Sequence, residues 1–93
     1  MANAEQLALI RGGVEPWNGW REKNPDAHVD LTEADLVRMY LYEANLAGAD
    51  LRRADVGYAD LGLADLRGTN LTNAKLVSAT FEAKDRSDFF PHA

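Results

Sequence analysis

Residues 44–66 read ANLAGADLRRADVGYADLGLADL, and the interval between their leucines decides the fold. A leucine-type residue falls at every fifth position, at Leu46, Leu51, Val56, Leu61 and Leu66. The register continues in both directions, through Leu31, Leu36 and Leu41 on one side and Leu71, Leu76 and Phe81 on the other. Two residues before each rung lies a second, mostly small residue: Val29, Ala34, Met39, Ala44, Ala49, Ala54, Ala59, Ala64, Thr69, Ala74 and Ala79. The residue between the two is typically Asp or Asn, as in Ala54-Asp55-Val56.

A period of five suits neither regular element. On an α-helix of ~3.6 residues per turn, each step of five rotates the leucine by roughly 140°, so no single stripe could be buried. On a flat strand, leucines an odd number apart alternate between faces. A short extended piece followed by a turn removes both difficulties. The small residue and the leucine, two apart, then point inward together and the Asp points outward. The remaining pair makes a corner. Arg52-Arg53, Gly57-Tyr58, Gly62-Leu63, Arg67-Gly68 and Thr72-Asn73 are the clearest, a mixture of turn formers and solvated charge. A chain that bends the same way every five residues coils.

The tandem A[DN]LXX pattern resembles the pentapeptide-repeat family. Eight of the eleven small positions are Ala and nine of the eleven ladder positions are Leu, which makes the pattern specific. The resemblance implies an all-β fold, a right-handed quadrilateral β-helix with four pentads per coil, leucine on the axis and alanine beside it. Residues 29–83 would then make just under three coils, a shaft of roughly 13 Å at the ~4.8 Å spacing of neighbouring strands.

Repeat arrays expose a raw apolar face at each end and need a cap there. Residues 1–28 are expected to supply one, with Leu7, Ile10, Val14, Trp17 and Trp20 as its apolar contacts. Asn3 with Gln6 three residues on is a weak capping box, and Gly12-Gly13 stop the first helix. A second short helix is expected to begin around Pro16 and to end at Asn24-Pro25. The order Gly-Val-Glu-Pro-Trp-Asn-Gly-Trp-Arg, then Asn-Pro-Asp, is similar to the leader that precedes the repeats in many members of the family. Trp17 and Trp20 are also compatible with a ligand box or an interface. At the other end, residues 84–93 form a tail or cap. Its Phe89 and Phe90 either fold back over the last rung, pair with a second copy to give a homodimer as some relatives imply, or fray.

Ninety-three residues without cysteine exclude disulfides, thiolate metal sites and cysteine nucleophiles, and leave little room for a catalytic cleft. A net charge of −5 argues against direct nucleic-acid binding, which rests on Lys and Arg displacing counterions. No stretch approaches the ~20 apolar residues of a membrane span, so a cytoplasmic protein without membrane contact is expected. His28 and His92 lie at opposite ends of the sequence, and neither Ser78 nor Ser87 has a triad around it, so no catalytic residue, metal site or cofactor is expected. The aspartates at the outward position recur singly, without the glycines of calcium-binding β-rolls, and are read as bonding to nearby backbone.

Stacking pentads four apart gathers Tyr40, Tyr42, Asp60, Gly62, Leu63 and Glu82 on one side, with Tyr58 at the neighbouring corner. Exposed tyrosines beside carboxylates make a protein-docking patch. Packing of Tyr40 and Tyr42 against the cap is the equal alternative. The expected function is a non-catalytic protein-interaction or scaffold module of unknown partner. The other reading, suggested by some relatives, is a DNA mimic that modulates a type II topoisomerase. The short shaft and the interruptions by Arg52, Arg53 and Arg67 weigh against it.

Overall fold

A computed structural model of the chain describes residues 1–81. Two helices, α1 (Ala4–Arg11) and α2 (Val14–Lys23), precede the repeats. Seven parallel bridges then join residues twenty apart: Asp30 to Asp50, Asp35 to Asp55, Tyr40 to Asp60, Asn45 to Asp65, Asp50 to Asn70, Asp55 to Lys75 and Asp60 to Thr80. Four pentads therefore complete one turn of the coil. The expectation of an all-β chain is corrected to this extent: the regular elements among the described residues are the two helices, and the repeats pair through isolated bridges. Two of every five residues lie in a turn, so each side has no length left for a run of strand.

The reason the pentad works is visible in its hydrogen bonds. In the pentad Asp50 to Ala54, the N–H and C=O of the bridging Asp50 meet Val29 O and Leu31 N of the coil before, each at 2.9 Å. The Leu51 N–H reaches Asn70 O in the coil after at 2.9 Å, and the Arg53 N–H reaches Thr72 O at 3.0 Å. The Ala54 N–H closes a turn onto Leu51 O at 3.0 Å. The remaining N–H, that of Arg52, goes to Oδ1 of Asp50 at 3.2 Å. All five donors are thus used, as burial beside an apolar column demands.

The turn needs the left-handed region at its second inner residue, the φ pattern of a type II turn. Glu33, Arg38, Glu43, Gly48, Arg53, Tyr58, Leu63, Gly68, Asn73 and Ser78 all have φ between 53° and 70°. Only two of these are glycine, so the coil holds eight ordinary residues in a region that L-residues avoid.

Leucine fills the axis. Leu31, Leu36, Leu41, Leu46, Leu51, Val56, Leu61 and Leu66 are buried, and Ala34, Ala44, Ala49, Ala54 and Ala59 pack beside them. Each such leucine contributes about 1.5–3 kcal/mol by leaving water. Leu71, Leu76 and Phe81, in the last described coil, are only partly buried. Thr69, at a position that is mostly alanine, is buried as well and donates its hydroxyl to Leu46 O at 2.7 Å. That bond removes the cost of an unpaired polar group.

The N-terminal helices form the cap. Ile10 and Trp17 are fully buried, and Leu7, Val14 and Trp20 pack against the same core. The Trp17 and Trp20 rings lie 5.3 Å apart. Asn3 is the N-cap of α1, its Oδ1 accepting from the Gln6 N–H at 3.0 Å. The Gln6 side chain does not return to Asn3 as a capping box requires; it bonds to the first coil. Helix α2 starts at Val14, ahead of the expected Pro16, with Pro16 in its first turn where a missing N–H costs little.

Candidate interaction surface

The first coil lacks a predecessor, so its bridging residues present N–H and C=O groups to the cap. Two of its four sides are fully served there. Asp30 N donates to Gln6 Oε1 at 2.8 Å, and Asp30 O accepts from Asn3 N at 2.9 Å. On the side of Asn45, Asn18 Oδ1 accepts the N–H at 2.7 Å and the Trp17 indole donates to the carbonyl at 2.9 Å. Arg21 donates to Ala47 O beside it, and Arg11 donates to Asp35 O at 2.9 Å. Among the described residues, neither the N–H nor the C=O of Tyr40 has such a partner.

Arg21 is the buried cation of the cap, and its Nε has no partner among the described residues. Burial pulls its pKa down, while the charge of Asp65 works the other way.

The outward aspartates are engaged with the coil itself. Oδ1 of Asp30, Asp35, Asp50, Asp55, Asp60 and Asp65 each accepts the N–H two residues on, and Asn45 and Asn70 do the same. Asp50 and Asp65 also form two-pronged ion pairs with Arg52 and Arg67, at 2.7–2.9 Å. The side-chain bond from Arg52 holds the Asp50 carboxyl below the usual carboxylate range, and Arg67 does so for Asp65. In Asp30 the backbone and hydroxyl of Thr32 have that effect. Each of these carboxylates is thus engaged by the turn that follows it.

The tyrosines share a side with Asp60, which bridges to Tyr40. Tyr40 and Tyr42 stack with ring centroids 6.1 Å apart. Tyr42 lies over buried Gly62, where an added Cβ would come within 2.8 Å of its ring. Tyr40 is 66% exposed and Tyr58, at the next corner, 57% exposed beneath the Arg38 guanidinium at 5.2 Å. Leu63 is partly buried. The two rings and α2 line an open groove of about 560 Å³. Phe89 and Phe90 lie outside the described residues. Sequence reasoning missed Asn18, Arg21 and Arg11 as partners of the first coil, since nothing in their local spacing points across the intervening residues.

A family model of pentapeptide repeats, with eight copies, matches residues 27–57 and 44–82. The chain belongs to the pentapeptide-repeat family. Neither the curated proteins nor the solved structures compared with it gave a match. No helix among the described residues is long and apolar enough to cross a membrane.

Proposed function

We propose that this chain is a non-catalytic, cytoplasmic interaction module, a right-handed quadrilateral β-helix of just under three coils that presents its tyrosine-bearing side to a protein partner. The observation that carries the reading is the contrast between the aspartates and the tyrosines. The aspartates are committed to turns and ion pairs, whereas Tyr40 and Tyr58 are large and exposed, and Tyr40 lines an open groove. Aromatic residues of this kind are enriched at interfaces, where they bring much contact area at low entropic cost. The mimicry of duplex DNA is the weaker reading, because Arg52 and Arg67 neutralise carboxylates that such a mimic would display.

The reading is tested by placing a photo-crosslinking residue at Tyr58 and, separately, at Arg53, in cells of the source organism. A discrete protein adduct from the first position and none from the second supports a docking side. Equal yields at both positions, or none at either, count against it.

A further inference from the structure

We propose that the groove between α2 and Tyr40 takes an extended, arginine- or lysine-bearing peptide of a partner protein, which adds to the coil at the bridging position that the cap leaves open. The proposal rests on the interaction-module reading and names the partner's chemistry.

In the second coil, Asp60 N donates to Met39 O at 3.0 Å and Asp60 O accepts from Leu41 N at 2.8 Å. Tyr40 is the bridging counterpart of Asp60 one coil earlier, so its N–H and C=O are directed to the place where a preceding coil would lie. The cap fills that place at Asp30 and Asn45 with side chains and one backbone group. At Tyr40 it leaves a groove, and an extended backbone entering there completes both bonds in the manner of strand addition.

The lining fixes the charge of the occupant. Glu15 and Glu22 of α2 and Glu43 of the coil border the groove, with Tyr40 and Tyr42 on the coil side and no Lys, Arg or His lining it among the described residues. An alternating strand that pairs at Tyr40 carries every second side chain along one face. A guanidinium or ammonium on that face meets carboxylates and the faces of stacked rings, a combination that favours cations both by charge and by the ring quadrupole. Acidic peptides and phosphate backbones meet repulsion at the same place.

The test is an NMR titration of the full chain with short peptides of one length in which arginine, serine or glutamate alternates with threonine. The arginine peptide is expected to shift the Tyr40 and Gly19 amides and to slow exchange of the Tyr40 amide proton, and the serine and glutamate peptides are not. The double variant Glu15→Gln with Glu22→Gln, both at exposed positions, is expected to bind the arginine peptide about tenfold more weakly. A backbone N-methylated arginine peptide is expected to lose the Tyr40 protection. Binding elsewhere on the coil, no binding, or undiminished affinity for either the double variant or the methylated peptide overturns the proposal. The crosslinking at Tyr58 separates the two readings: a partner adduct there, with no effect of the arginine peptide, leaves the module and removes this groove as its site.

Discussion

The indole Nε1 of Trp17 donates to the carbonyl oxygen of Asn45 at 2.9 Å, across 28 residues of sequence. One coil later, the corresponding carbonyl of Asp65 accepts from the Leu46 N–H at 3.0 Å. A side chain of the cap thus takes the part of a missing coil. Replacing Trp17 by Phe keeps most of the buried ring and leaves the Asn45 carbonyl unpaired, which should cost about 1–3 kcal/mol in urea unfolding. Trp17→Ala should cost about 3–5 kcal/mol, through the cavity as well.

The ladder and the corner respond differently to charge. Leu51→Lys places an ammonium in the middle of the leucine column, where Leu51 is 1% exposed, and cooperative unfolding should be lost. Arg52→Glu breaks an ion pair whose arginine is 56% exposed, so the loss should stay within about 1 kcal/mol. Circular dichroism melts of the two variants check the pair.

Much of this was legible in the sequence, for a physical reason. Burial on an axis acts on side-chain size every fifth residue, so Leu31 to Leu66 announce themselves, and so does the small residue beside each rung. Asn3 reads as a helix start because an N-cap is a local device. The left-handed corner residues were not legible. Glu33, Arg38, Tyr58 and Leu63 hold φ near 60° only because bonds from the neighbouring coil and the closed turn hold them there, and their identities carry no sign of it. Arg21 and Asn18 were hidden because their partners lie 26 and 27 residues away.

The strain at these corners is open to measurement. Arg53, fully in the left-handed region at φ 61° and exposed, should tolerate glycine with a gain of about 0.5 kcal/mol, since the relief of roughly 1–2 kcal/mol outweighs the extra entropy of glycine. Arg53→Val should destabilise, because a β-branched residue is least suited to that region. Equal effects of the two substitutions in chemical unfolding would contradict the turn geometry.

Acid should unfold the chain through its aspartates. The carboxyls of Asp30, Asp50 and Asp65 are held below their unfolded value in the fold. Their stabilisation is therefore complete above the ordinary carboxylate range and is lost as pH falls through the lower, folded values. Asp50→Asn with Asp65→Asn keeps the Oδ1 acceptor that Asn45 and Asn70 already use. Stability of that variant, followed by urea titration from neutral to acid pH, should fall less steeply than that of the parent.

The cap replaces a coil on some sides and leaves both backbone groups of one bridging residue, Tyr40, open, and native-state amide hydrogen exchange reads this residue by residue. The predicted result is slow exchange at Asp30 and Asn45, whose N–H groups are held by Gln6 and Asn18, and fast exchange at Tyr40 in the same coil. Protection of Tyr40 equal to that of Asp30 and Asn45, or rapid exchange at all three, would contradict it.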